Sequence, residues 1–119
     1  MGKIIFREKT KMDYVEIAKT EEIPVGNMKA FVIQGNDILV VNYQGKYYAL
    51  NNKCTHMKGE LAKGKIEGKI VTCPRHGSKF DITTGKCVSR AKIFFITMKT
   101  KYEPRYEVRV EGNSIKIGL

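Results

Sequence analysis

No apolar run in this 119-residue chain approaches the ~20 residues needed to cross a bilayer, and Ile4-Ile5-Phe6 is too short for a signal-peptide core. Phe6 also stands where a myristoylation signal wants Ser or Thr, so no membrane anchor is expected and a soluble cytoplasmic protein is. No long helical period runs through the sequence. The length gives one domain, able to bury about two thirds of its unfolded surface, and leaves no room for a second, catalytic one. Acidic residues are scarce, 12 against 22 Lys and Arg, which gives a formal net charge of +10 and a pI near 9.6. Histidine is scarcer still, with two in the chain, and cysteine stops at three, an odd number that suits a reducing compartment.

Both histidines and two of the three cysteines fall between positions 54 and 76, as Cys54-Thr55-His56 and Cys73-Pro74-Arg75-His76. Each motif supplies one thiolate and one imidazole, so two loops laid side by side could give one metal ion two sulfurs and a second ion two nitrogens. Three other readings compete. A single structural zinc is possible, but familiar zinc modules group Cys with Cys and His with His, and here every pair is mixed. A Cys54 to Cys73 disulfide would leave both histidines and the His76-Gly77 turn without a purpose. A nucleophilic cysteine activated by histidine needs only one such pair, and finding the pair twice argues for metal.

Around these motifs the chain is written in short strands. Tyr14 to Lys19 alternates; Met28 to Ile33 and Ile38 to Tyr43 are separated by Gly35-Asn36-Asp37; Gln44-Gly45 turns into Lys46 to Leu50. Lys65 to Glu67, the turn Gly68-Lys69 and Ile70 to Thr72 form a hairpin that delivers Cys73 to its end. Tyr106 to Glu111 alternates strictly, and Gly112-Asn113 turns the chain into Ser114 to Ile117. The expectation is an all-β antiparallel sandwich or partly open barrel with a small subdomain inserted between its two halves. Gly59, Gly64, Gly77 and Gly85 are expected to take positive φ and let two loops approach. Pro74 removes a backbone donor and stiffens the second loop, unless it is a plain turn proline.

The pattern C-x-H, sixteen intervening residues, then C-x-x-H-G, continued by Ser78-Lys79-Phe80-Asp81-Ile82-Thr83-Thr84-Gly85, resembles the cluster signature of Rieske-type iron-sulfur proteins. The match is specific over roughly 52–87 and looser outside. The resemblance implies a 2Fe-2S cluster, one per chain, with Cys54 and Cys73 on one iron and His56 and His76 on the other. It also implies a single Rieske domain over 12–119, with a base of 12–52 and 87–119 and a cluster-binding subdomain of 53–86. Rieske subunits of cytochrome bc complexes add a disulfide between the ligand loops, at positions matching Gly59 and Arg75, and a transmembrane anchor. Both are absent here, which favours the soluble ferredoxin branch. High-potential members place serine and tyrosine hydroxyls at the positions of Ser78 and Phe80. With one hydroxyl kept and one missing, the expected potential lies in the low to middle part of the family's ~ −150 to +300 mV range. Ser78 turned back onto its own loop is the alternative.

One-electron transfer is the function this resemblance implies, from a reductase of the flavoprotein kind to an oxygenase or other acceptor. The chain itself would not be an enzyme: with both histidines used, none remain for the mononuclear iron of an oxygenase. A metal-stabilised zinc module for binding or regulation is the alternative. An oxidised cluster adds no net charge, and eight cations lie between Lys53 and Lys86 (Lys53, Lys58, Lys63, Lys65, Lys69, Arg75, Lys79 and Lys86) against Glu60, Glu67 and Asp81. Such a face would steer an acidic docking surface, with a solvated lysine-rich surface as the plain alternative. Nucleic-acid binding is not expected, because the lysines are spread and no recognisable motif accompanies them.

Three features stand outside this scheme. Residues 1–11 read as a flexible basic leader. Cys87, beyond the ligand spacing, reads as a small buried apolar residue. Ile93 to Met98 reads as a buried strand, with an exposed docking patch as the alternative; no proline stands in Ser89-Arg90-Ala91, where small Rieske ferredoxins tend to carry a shielding loop.

Overall fold

The computed structural model describes residues 13–54, 59–75, 77–89 and 103–119. The strands in chain order are β1 (Tyr14–Lys19), β2 (Met28–Ile33), β3 (Asn36–Tyr43), β4 (Lys46–Asn51), β5 (Lys65–Glu67), β6 (Ile70–Thr72), β7 (Lys79–Asp81), β8 (Cys87–Ser89), β9 (Arg105–Tyr106), β10 (Val108–Glu111) and β11 (Ser114–Gly118). They form three open antiparallel sheets, ordered β1-β11-β10, β2-β3-β4-β9 and β5-β6-β7-β8, with none closed into a barrel. No helix among the described residues is long and apolar enough to cross a membrane. Residues 1–11 and 93–98 lie outside the described residues.

The middle sheet explains why Ile38-Leu39-Val40-Val41 is an unbroken apolar run. A strand buried on both faces has no polar side to alternate with. Leu39 and Val41 face a core shared with Leu61, Val71, Phe80 and Ile82 of the third sheet and its approaches. Ile38 and Val40 face a second core with Ala18, Ile115 and Ile117 of the first sheet. β4 divides likewise, Leu50 to the first core and Ala49 to the second. The molecule is therefore three layers deep, and the third layer carries the cysteine loops.

Two local expectations need correction. The β2–β3 turn is Gln34-Gly35, both at positive φ (51° and 80°), rather than Gly35-Asn36-Asp37. A two-residue turn of that hand matches the strand twist, so Asn36 and Asp37 are drawn into the ladder opposite Ile33 and Val32. The alternating stretch from Tyr106 to Glu111 is not one strand: Tyr106 pairs with Ala49 in the middle sheet, while Val108 pairs with Ile117 in the first. Glu107 is where the chain changes sheets. The third sheet includes β8, where Cys87 pairs with Phe80.

Candidate metal centre

Each cysteine heads a loop closed by its own backbone. The Cys54 N–H donates to the Gly59 carbonyl at 2.7 Å, and Lys53 bridges Glu60 just outside it. In the second loop the Cys73 N–H donates to the Ser78 carbonyl at 2.8 Å, and the Gly77 N–H donates back to the Cys73 carbonyl at 3.1 Å. Gly77 stands at φ 78°, a conformation other residues adopt at a cost. Pro74 is exposed at the bend between them. His56 and His76 belong to these loops by sequence but lie outside the described residues.

The first loop is anchored by a residue the motif alone does not reveal. Asn52 is buried; its side-chain oxygen accepts from the Ala62 N–H at 2.8 Å and its amide donates to the Asp37 carboxylate at 3.2 Å. Its carbonyl also accepts from the Leu61 N–H at 2.8 Å. The signal in the sequence was an asparagine two positions before Cys54, which turn statistics alone assign to any loop.

Cys54 and Cys73 are both buried and belong to one core with Leu61, Val71 and Phe80. Among the described residues no disulfide joins them or Cys87. Gly59 and Gly64 serve this meeting, though not as expected, for neither is at positive φ. Their contribution is space. A Cβ on Gly59 would lie 2.7 Å from Cys73 Sγ and 3.1 Å from Arg75 Cγ, and one on Gly64 would strike the Thr72 carbonyl oxygen. The Arg75 stem thus lies over Gly59, so the two positions matching the disulfide of cytochrome bc Rieske subunits do meet here, without a covalent bond.

Ser78 lies beneath the second loop. Its Oγ is fully buried and has no hydrogen-bond partner among the described residues. Leaving a buried hydroxyl unsatisfied costs about 1–3 kcal/mol, so such groups ordinarily mark a missing partner. Two buried thiols beside a bare glycine and an unpartnered hydroxyl fit a bound group that brings its own hydrogen-bond acceptors. Phe80, in register between Val71 and Cys87, is fully buried and offers no hydroxyl. Cys87 is partly buried against the same core.

Behind the loops, Asp81 braces the turn that follows β7. Its Oδ1 accepts from Thr83 Oγ1 at 2.6 Å and from the Thr83 N–H at 2.9 Å, and Lys69 lies 3.4 Å from its other oxygen. Burial pushes this carboxyl up, but the Thr83 and Lys69 hydrogen bonds together outweigh it and the pKa falls below the usual aspartate value. Gly85, at φ 79°, leaves room for the Glu103 carbonyl and accepts from the Glu103 N–H at 2.7 Å, while Arg105 donates to the Thr83 carbonyl at 2.9 Å. These bonds fasten the cysteine-bearing sheet to the base.

The family model of the Rieske [2Fe-2S] domain matches residues 13–93. The ferredoxin component of a naphthalene 1,2-dioxygenase system from Pseudomonas aeruginosa is 28% identical over 106 residues, which covers 89% of this chain and 95% of the relative. Among solved structures, the ferredoxin of carbazole 1,9a-dioxygenase from Nocardioides aromaticivorans IC177 superposes with a TM-score of 0.76 at 25% identity, covering 87% of this chain and 95% of that one. A chain from a complex of reduced oxygenase and oxidized ferredoxin in carbazole 1,9a-dioxygenase gives 0.77 at 22% identity, covering 88% and 92%, and shares the fold.

Proposed function

The chain belongs to the Rieske [2Fe-2S] domain family, and from that premise we propose that it is a one-electron carrier with one 2Fe-2S cluster, held by Cys54 and Cys73 on one iron and by His56 and His76 on the other. The cluster, when bound, supplies reversible one-electron chemistry. The chain's own residues perform no bond chemistry. They hold the thiolates out of water, close the two loops and, through Ser78, offer a hydroxyl to a cluster sulfur.

The observation that carries this reading is the burial of both motif cysteines in one core with Ser78 Oγ unpartnered beside them. A hydrogen bond to cluster sulfur favours the reduced, more negative state, and Phe80 cannot add a second one, so the potential sits in the low to middle part of the ~ −150 to +300 mV span. Relatives at this similarity are ferredoxin components of dioxygenase systems. A reductase, of the flavoprotein kind, as donor and an oxygenase or comparable terminal enzyme as acceptor follow as the partners, with a cytoplasmic site of action that suits unbridged thiols. The zinc-module alternative is not favoured by those relatives.

The test is a reductive titration of purified protein followed by electron paramagnetic resonance, with metal analysis on the same sample. A Rieske-type signal at low potential is the expected result. Zinc in place of iron, with no signal, would end the electron-carrier reading.

A further inference from the structure

Among the described residues, most cationic side chains are already engaged. Lys19, Lys29, Lys53, Lys63, Lys69 and Lys116 each lie within 4.0 Å of a carboxylate oxygen. Arg105 donates to a backbone carbonyl, while Arg109 and Lys46 stack over the rings of Tyr14 and Tyr48. Lys65, Arg75, Lys79 and Lys86 remain without such a partner among the described residues, and all four fall in the stretch that carries the cysteine loops. Exposed pairs add little stability. Their effect here is on the field, since an adjacent carboxylate cancels a lysine's potential and an unpaired lysine keeps it.

The register arranges these bare charges. Lys65 and Lys79 both pair with Thr72, so the three side chains leave the same face of the third sheet in a row. Two strand spacings, roughly 10 Å, separate the lysine backbones. Two residues along, on the same face, Glu67 and Asp81 both pair with Ile70. The face is therefore polarised: its acidic row lies at the far end of the strands, and its bare cationic row lies beside Thr72, the residue that leads into Cys73. Arg75 extends the positive end onto the loop. A depression of about 390 Å³ opens at the same place, lined among the described residues by Lys63, Lys65, Thr72, Cys73 and Pro74.

We propose that this positive end of the β5–β6–β7 face is the docking surface for an acidic protein that exchanges electrons with the cluster, with a carboxylate of that partner entering the depression beside Cys73. The proposal rests on the electron-carrier reading and adds to it the face used and the charge of the partner. Charge complementarity selects the occupant: a cationic row with no internal counter-charge attracts an acidic surface and repels a basic one. Entry here would seat the partner on the exposed lysines and Pro74 outside the buried Cys73, one residue's depth from the proposed cluster.

The test uses the cluster-loaded protein, reduced and mixed in stopped flow with ferricyanide, which accepts one electron per molecule to become ferrocyanide, or with the cationic acceptor hexaamminecobalt(III). At low ionic strength Lys65→Gln/Lys79→Gln should slow the ferricyanide reaction at least threefold without slowing the cobalt one, and the difference should fade with added salt. Poly-L-glutamate should inhibit the wild-type reaction and lose that effect in the double variant, while Lys46→Gln behaves as wild type. Unchanged ferricyanide rates and unchanged polyglutamate inhibition in the double variant would overturn the proposal, as would an equal slowing of both acceptors. Duplex DNA competing as well as polyglutamate at physiological salt would replace the acidic protein with nucleic acid. Fluorescence anisotropy of labelled polyglutamate reads the same surface without the cluster, so a protein found to lack iron would defeat the electron-carrier reading separately.

Discussion

Gly59 approaches Cys73 more closely than any side chain at position 59 would permit, since a Cβ there would stand 2.7 Å from the thiol sulfur. If Cys73 holds a cluster iron as proposed, its sulfur cannot step aside as the end of a flexible side chain can. Gly59→Ala is therefore expected to expel the cluster or hold it poorly, with iron content and visible absorbance falling well below wild type and folding stability reduced by about 1–3 kcal/mol. Gly68→Ala is the matched control, because its Cβ would meet open space and only the positive φ of 62° is lost, a cost of about 1 kcal/mol. A fully loaded Gly59→Ala protein would show that the loops open more easily than their packing indicates.

Removing the Ser78 hydroxyl should lower the potential while leaving the cluster in place. A net hydrogen bond of about 1–1.4 kcal/mol to the reduced state corresponds to roughly 40–60 mV for one electron. Titration of Ser78→Ala by electron paramagnetic resonance reads this directly, and an unchanged potential would assign the hydroxyl to the protein alone.

Asp81 makes the third sheet sensitive to acid. A carboxyl whose pKa is lowered on folding contributes its full stabilisation above its ordinary value of 3.8, and loses it as pH falls through the lower folded value. The melting temperature should thus drop as pH falls below about 4, and Asp81→Asn should flatten part of that drop while costing about 1–2 kcal/mol at neutral pH. Equal acid sensitivity in both proteins would place the titrating group elsewhere.

Cys87→Ser should keep the visible spectrum and the iron content, because Cys87 packs beside Phe80 at the margin of the core rather than between the ligand loops. The expected cost is below about 1.5 kcal/mol in melting experiments. Loss of colour would mean a third thiol ligand.

Much of this was legible because it is local. Gln44-Gly45 and Gly68-Lys69 announce tight turns, and the strands around them follow with their ends nearly fixed. The two cysteine motifs stood out because rare residue types were crowded together, whereas Ser78 was singled out only by the family resemblance. The sheet change at Glu107 was hidden, since Tyr106, Val108 and Val110 keep one alternation through it and alternation reports which face is covered, not which strand is the neighbour. The glycines misled for a related reason: composition flags Gly59 and Gly64 as backbone freedom, whereas their need is room for atoms brought near by distant parts of the chain. Counting lysines gave the sign of the cluster end but not which of them keep their charge bare, because pairs such as Lys53 with Asp37 exist only in three dimensions.

Glu107 carries a consequence for how this chain tolerates change in length. One peptide unit separates a strand that reads its register from Ala49 and Leu50 from another that reads it from Ile115 and Ile117. Glu107 is itself exposed, so exchanging its side chain alters little. Inserting or deleting a single residue there would leave one of the two sheets correct and turn the other's apolar side chains to water. Position 107 is thus indifferent to identity and strict about count, a reading frame in the protein itself.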